Sequence, residues 1–96
     1  MRNEALNTNM EKTGTGQTRQ ISLRRMRVGQ RGRIAQVPGG GGMTRHLQAL
    51  GVRPGTMITK VSSMIMRGPV TIQVGGAQIA IGFGMAGKIL VEPEAD

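Results

Sequence analysis

The side chains that could carry out chemistry in this sequence are few, and their types exclude most enzyme classes. The chain has no Cys and a single His, and no carboxylate side chain lies between Lys12 and Val91. All five acidic residues stand near the two ends: Glu4, Glu11, Glu92, Glu94 and Asp96. The body of the chain therefore lacks the residues for a paired-carboxylate acid/base site, an acyl-transfer triad or a Cys-type zinc site. We expect a protein that is not an enzyme.

Candidate metal ligands are equally sparse. His46 is the one imidazole, and a lone His without Cys or acidic neighbours does not make a metal site within one chain. It remains a candidate ligand across a contact between two chains, although an exposed bystander is the simpler interpretation. Met64 and Met66 lie two residues apart, as on one strand face, and thioethers suit copper(I). Met more often fills core gaps or partner surfaces, so we expect no metal and no cofactor.

The charge of the chain points to an anionic partner. The formal net charge is +8 at pH 7, and a one-sided charge is typical of proteins that bind nucleic acid, an acidic protein face or a lipid surface. Single-stranded nucleic acid is usually bound by interleaved aromatic side chains, and Phe83 is the only aromatic residue here. Nucleic-acid binding is therefore the alternative, suggested by the arginines at 19, 24, 25, 27, 31 and 33.

Two glycine-rich stretches resemble nucleotide-binding loops without their required context. Residues 82–87 read GFGMAG, a literal match to G-x-G-x-x-G. A dinucleotide site needs a helix to follow, with an acidic residue about 20 positions further on, and only nine residues follow Gly87. Residues 39–42 are glycines without the Lys-Ser or Lys-Thr of a P-loop. We interpret 82–87 as a flexible turn before the last strand.

The elements that must position these residues are short strands and tight turns. Residues 21–29 predict a helical turn that places Leu23 and Met26 on one side. Alternating apolar residues on both sides of Gly75-Gly76 predict a hairpin over residues 70–81 with a type I′ turn. Three further strands are expected at 31–37, 57–66 and 88–91, the second of them with a bulge or a strong twist.

One helix is expected over residues 43–50. Thr44 is expected to cap its first turn. Gly51 is expected to end it in the left-handed conformation, with Val52 folding back onto the helix. Arg45 and His46 then lie on the outer side. Apolar residues at i, i+4 and i+7 are expected to form the buried face: Met43, Leu47 and Leu50.

Together these elements predict a mainly β protein, a small five-stranded SH3-like barrel with one short helix and a helical turn. The polar residues 1–20 predict a disordered N-terminal tail, residues 21–92 the barrel, and residues 93–96 a C-terminal tail. No secretory signal and no apolar run of membrane-spanning length is visible. We therefore expect a cytoplasmic protein.

An ordered set of residues adds a resemblance to a known family. Its members are Leu23, Met26 and Gly29, then Arg45, Leu47, Leu50, Gly51, Val52, Pro54 and Gly55, then Gly68, Pro69, Val70, Ile79, Ala80, Ile81, Ala86, Ile89 and Val91. With this set the segment 23–91 resembles the FeoA family, small cytoplasmic proteins of bacterial ferrous iron uptake. The same domain is similar to the C-terminal SH3-like module of diphtheria-toxin-repressor-type metal regulators.

The resemblance implies a non-enzymatic accessory protein that binds the cytoplasmic part of FeoB, a membrane transporter with a G-protein domain. It implies neither membrane insertion nor nucleic-acid binding, and it leaves the oligomeric state open. Two alternatives remain, a basic barrel that binds RNA or DNA and a metal-sensing domain related to the regulators. The candidate partner-binding residues are exposed arginines and apolar residues expected beside them: Arg24, Arg25, Arg27, Arg45, Val52, Arg53, Met64 and Met66.

Overall fold

The computed structural model describes residues 19–63 and 65–95, which form a single antiparallel sheet around one core. Its strands are β1 (Ile21–Ser22), β2 (Arg31–Gln36), β3 (Met57–Ser63), β4 (Val70–Val74), β5 (Ala77–Ile81) and β6 (Leu90–Pro93). Their order in the sheet is β1-β6-β2-β3-β4-β5. The helical segments are a 3₁₀ turn, here called the opening turn (Leu23–Arg25), and the helices α1 (Gly42–Ala49) and α2 (Phe83–Ala86).

The mainly β architecture is as predicted, with one strand more than the five expected. The additional strand is β1, in which Ile21 lies opposite Val91 of β6. The last strand begins at Leu90 and not at residue 88, and it continues to Pro93. Because β6 pairs with both β1 and β2, β6 lies inside the sheet and not at its edge. The N-terminal tail predicted for residues 1–20 falls almost entirely outside the described residues.

The hairpin β4–β5 forms in the predicted register. Val70 lies opposite Ile81, and Val74 lies opposite Ala77. The alternating apolar residues of β4 are buried, and so are Ile79 and Ile81 of β5, whereas Ala77 beside the turn is exposed. Period two alone could therefore locate most of the inward side chains. The predicted type I′ turn is wrong, because only Gly75 has a positive φ, of 57°. That pattern matches a type II′ turn, which needs a positive φ at its first central residue alone.

Strand β3 has the predicted bulge, since its register with β4 shifts between Lys60 and Ser62. The strand stops at Ser63, three residues earlier than predicted. Met66 and Arg67 follow in a turn with φ values of 61° and 67°, so the chain is no longer extended there. Met66 therefore does not lie on a strand face, and Met64 lies outside the described residues.

Helix α1 has the predicted length but turns a different face to the core. Thr44 lies within its first turn and is buried, and no side chain caps the helix, which Gly41 precedes at a φ of 80°. Met43 is 58% exposed and Leu50 is 45% exposed, whereas Leu47 is buried. The inward face thus runs from Leu47 towards Thr44. The predicted Thr44 cap is wrong, and so is the prediction that Met43 and Leu50 belong to the buried face.

The end of α1 explains that rotation. Gly51 has a φ of 102°, as predicted for the left-handed stop, and the amide of Val52 donates to the carbonyl of Leu47 over 2.9 Å. Val52 itself is fully buried. The helix is therefore anchored at its C-terminal end, and Leu47 and Val52 contribute to the core while Met43 and Leu50 remain outside.

The core is aliphatic and contains no aromatic side chain among the described residues. It is formed by the opening turn, all strands from β2 to β6, and both helices, and its fully buried large side chains are Leu23, Ile34, Val52, Ile58, Ile72, Ile81, Ile89 and Val91. Residues 82–87 are not the flexible turn that we expected. They contain α2, a single helical turn whose Ala86 is fully buried, so core packing orders this segment.

Candidate functional site

A lysine lies inside the barrel, where the sequence predicts only apolar residues. Lys60 of β3 is 2% exposed. It occupies the inward position two residues after Ile58, which is 1% exposed. Because residues two apart in a strand share a face, the strand that buries Ile58 also carries Lys60 inward.

Lys60 binds the segment that contains the opening turn through four hydrogen bonds. Its Nζ atom donates to the carbonyl oxygens of Arg24 and Met26, over 2.9 and 2.6 Å. Its amide donates to the carbonyl of Gln30 over 3.0 Å, and its carbonyl accepts from the amide of Gly29 over 2.7 Å. The side chain thus satisfies carbonyl groups at the end of a helical turn, which otherwise lack partners.

Burial lowers the pKa of Lys60 below the ordinary lysine value. The cause is loss of hydration, because both acceptors of the ammonium are neutral carbonyl oxygens and neither is a carboxylate. A buried cation held in this way fixes the turn, and its Nζ atom is not accessible to a partner. We therefore assign Lys60 a structural role.

The outer side of the same turn carries a second, exposed cation. The guanidinium carbon of Arg24 lies 3.9 Å from the centroid of the Phe83 ring. It also lies against Gly87, where a Cβ atom would approach the guanidinium carbon to 2.6 Å. The sequence predicts that Arg24 projects freely into solvent. The structure instead places its guanidinium on Phe83, at the start of α2.

A second arginine approaches the same ring from the loop between β3 and β4. The guanidinium carbon of Arg67 lies 5.7 Å from the Phe83 centroid. At the tip of that loop, Ile65 is 83% exposed and Met66 is 91% exposed. We call this group of five residues the Phe83 patch: Arg24, Ile65, Met66, Arg67 and Phe83. It combines two cations with two exposed apolar side chains.

The other candidate cations are more scattered. Arg25, Arg45 and Arg53 are exposed. Arg27 is also exposed, and its amide donates to Oε1 of Gln30 over 3.0 Å. These arginines lie on the opening turn and the residues after it, on α1, and on the turn that precedes β3. The structure therefore distributes them over several elements and does not bring them to a single point.

Among the apolar candidates, the structure corrects Val52 and does not describe Met64. Val52 is fully buried, because the stop after α1 folds it into the core, so it cannot contact a partner in this fold. Met64 lies outside the described residues. Met66 is exposed, on a loop and not on the predicted strand. His46 is exposed on α1, as expected of a bystander.

The carboxylates that the structure describes, Glu92 and Glu94, belong to β6 and to the residue just after it. A carboxylate oxygen of Glu94 lies 3.8 Å from Nη1 of Arg31, with both side chains about half exposed. Glu92 lies opposite Arg33 in the sheet. Within residues 19–63 and 65–95, no three His, Cys, Asp or Glu side chains form a group that could hold a metal ion. The arrangement is suited to binding anions.

Sequence reasoning missed three members of the Phe83 patch and the buried lysine. Phe83 could have been identified from the sequence, because it is a lone aromatic residue in the glycine-rich stretch 82–87 and the aliphatic core does not need it. Lys60 had one too, because period two from Ile58 places it inward. Arg67 and Ile65 had none, because their positions depend on where β3 ends.

Comparisons with known proteins agree with this fold. The model of the FeoA domain matches residues 21–93. The chain is similar to the crystal structure of an iron uptake regulatory protein (FeoA), with 34% identity, a TM-score of 0.71, and coverage of 79% of this chain and 100% of the other. No curated protein gave a significant match.

Two further structures have lower sequence identity and show the fold alone. The solution structure of a FeoA protein from Chlorobium tepidum has 20% identity and a TM-score of 0.72, with 78% of this chain and 71% of the other covered. A manganese-dependent transcriptional repressor has 17% identity and a TM-score of 0.73, with 84% of this chain and 45% of the other covered. The shared part is less than half of that repressor.

The part of the chain that the structure describes has no helix of the length and apolarity needed to cross a bilayer. The SH3-like barrel and the resemblance seen in the sequence are both confirmed, and the family model covers most of the 96 residues. The chain belongs to the FeoA family.

Proposed function

We propose that this protein is a non-enzymatic, cytoplasmic accessory protein of ferrous iron transport that binds the cytoplasmic part of the FeoB transporter. Membership of the FeoA family supports the role in ferrous iron transport. The observation that carries the binding role is the exposure of three arginines on the opening turn and on the turn before β3: Arg24, Arg25 and Arg53. Neither described carboxylate belongs to those turns, since Glu92 and Glu94 belong to β6 and its end.

Exposed cations on turns that contain no described carboxylate suit recognition of an acidic protein face. Complementary charges increase the rate at which two proteins meet, and that increase falls as salt screens the charges. A non-enzymatic role agrees with the side chains present, because the described residues offer one imidazole, on the exposed side of α1, and no thiol. The protein then acts by occupying a surface of its partner.

Binding of the full-length chain to the purified cytoplasmic domains of the transporter tests this function. Surface plasmon resonance at two salt concentrations should show a complex whose association rate falls as the salt concentration rises. An RNA of mixed sequence serves as the competing ligand, because a basic barrel also attracts phosphates. Absence of a complex with the transporter domains would refute the proposal, and tight RNA binding by the same protein would support the nucleic-acid alternative.

Charge alone cannot make such a complex specific. The protein must therefore also prefer the transporter domains over other polyanions. We expect the transporter domains to compete effectively against an excess of the RNA at physiological salt. Equal competition by any polyanion would show that the arginines attract anions without recognising one.

A further inference from the structure

We infer that the Phe83 patch is the surface that binds the partner, and that it fits a protein segment with carboxylates beside a small apolar pocket. The identity of that partner as the transporter's cytoplasmic part rests on the proposed function. The patch itself follows from the contacts around the single aromatic ring of the chain.

The stacked arginine is oriented in advance for a carboxylate. With its guanidinium carbon 3.9 Å from the ring centroid, Arg24 lies over the face of Phe83. Stacking occupies the flat face of a guanidinium, and its N–H groups point outward along the edges. The Arg24 side chain makes no hydrogen bond to another described residue. Nε and Nη2 lie nearest to Gly87, so the end of the guanidinium formed by Nη1 and Nη2 is the one available for a bidentate contact with a carboxylate.

The fold holds Arg24 in this position from two sides. Lys60 binds its carbonyl oxygen from inside the barrel, and Gly87 leaves the space that the guanidinium fills. A Cβ atom at position 87 would overlap the guanidinium group. The backbone and the side chain of Arg24 are thus positioned separately, which reduces the ordering cost of binding.

The second cation makes the patch a site for more than one carboxylate. Arg67 lies within 5.7 Å of the centroid that Arg24 covers. Two cations share one ring, and the described residues place no carboxylate beside it. Their mutual repulsion would be relieved by a bound anion. Met66 and Arg67 also adopt positive φ values without being glycine, and such strain is concentrated at binding surfaces.

The exposed tip decides the class of partner. Ile65 and Met66 directly precede Arg67 in the loop, and both side chains are mostly exposed. Apolar contact within a charged rim is typical of protein interfaces. A single-stranded nucleic acid needs an open aromatic face for stacking, and Arg24 already covers a face of Phe83. A membrane surface usually requires more apolar contact than two side chains supply. The patch therefore favours a protein.

Two glycines of the α2 segment allow a test without any change of charge. Gly87→Ala should displace Arg24 from the ring, whereas Gly84→Ala has open space around its new methyl group and serves as the matched control. We expect Gly87→Ala to weaken binding to the transporter's cytoplasmic domains by about tenfold, or about 1.4 kcal/mol, as for an interface residue that contributes to affinity. Gly84→Ala should bind like the wild type.

The loop provides a second, independent set of variants. Ile65→Ser with Met66→Ser should weaken binding by roughly tenfold. Arg67→Glu should weaken it more than Arg25→Glu, which makes the same change of charge on the opening turn and acts only over long range. Circular dichroism and thermal melts confirm that each variant is folded, and the exposed loop variants keep the test intact if Gly87→Ala is unstable.

The outcomes separate this inference from the proposed function. If the wild type binds and the patch variants bind equally well, the Phe83 patch is not the surface and the proposed function stands. If the wild type does not bind the transporter domains, the proposed function fails and the partner inferred here fails with it. If the patch variants lose binding to phosphatidylglycerol vesicles or to RNA but still bind the transporter domains, the patch binds one of those ligands and the inference is overturned.

Discussion

The opening turn holds a cation on each of its two sides, in opposite ways. On the inside, the ammonium of Lys60 is buried against two backbone carbonyls. On the outside, the guanidinium of Arg24 lies over an aromatic ring and makes no hydrogen bond to another described residue. The first cation has exchanged water for fixed acceptors, and the second has kept its capacity to bind.

This difference shows how one short segment can be rigid and still be available to bind a partner. Burial of an ammonium is costly unless acceptors replace its hydration, and carbonyl groups at the end of a helical turn supply them. The exposed guanidinium has little desolvation cost and is ordered by stacking. The inner side therefore determines the stability of the turn, and the outer side is available for recognition.

The largest expected effect is on the inner side. Leu23 is fully buried, so Leu23→Ala should lower the free energy of unfolding by about 2–5 kcal/mol through lost burial and the remaining cavity. Val28, which is 62% exposed, is the matched control, and Val28→Ala should change it by less than about 0.5 kcal/mol. Chemical denaturation measures both. An equal loss of stability for the two variants would show that the buried and exposed sides of this segment do not differ in their contribution.

The next effect concerns the buried ammonium. Lys60→Met keeps much of the side-chain volume but leaves the carbonyls of Arg24 and Met26 without their donor. The free energy of unfolding should fall by about 1–3 kcal/mol, the cost of a buried unsatisfied polar group. Lys88→Met, at an exposed lysine, is the control and should have little effect. A Lys60→Met protein as stable as the wild type would mean that the ammonium contributes nothing to the turn.

The same lysine predicts a particular pH dependence. Its pKa is lowered in the folded state, so between the folded value and the unfolded value of about 10.4 the unfolded chain binds more protons. Stability must then rise with pH across that window, by the linkage of protonation to folding. Urea unfolding at several alkaline pH values should show the wild type gaining stability relative to Lys60→Met. An unchanged difference between the two proteins would contradict the lowered pKa.

The smallest effect is expected on the outer side. Arg24→Ala removes the contact with Phe83 and should lower the free energy of unfolding by about 0.5–1 kcal/mol, as for an exposed cation–π pair. Arg25→Ala provides the comparison, since Arg25 is exposed and is not stacked on that ring. Thermal unfolding of the two variants measures the difference in their stability. A loss for Arg25→Ala as large as for Arg24→Ala would remove the distinction between them.

Much of the fold could be predicted because its signals are local. Alternation over residues 70–81 identifies the hairpin, since period two belongs to a half-buried strand. Gly51 and the spacing of Leu23 and Met26 likewise report conformations set by a few neighbouring residues. The buried face of α1 was harder to predict, because an apolar spacing of i, i+4 and i+7 does not determine which side of a short helix contacts the core. The candidate site could not be predicted, because Arg24, Arg67 and Phe83 come from three separate segments that meet only in the folded chain.

By itself, the sequence determined that this protein is a small aliphatic barrel of the FeoA family with a basic surface. Composition, period and glycine positions act within a few residues and do not need the rest of the chain. Only the tertiary structure decided that Lys60 is inside, that Val52 is inaccessible, and that Arg24 lies on Phe83. Those outcomes depend on contacts between distant residues, such as Lys60 with Met26, which are 34 positions apart. Such contacts exist only once the sheet has closed around its core.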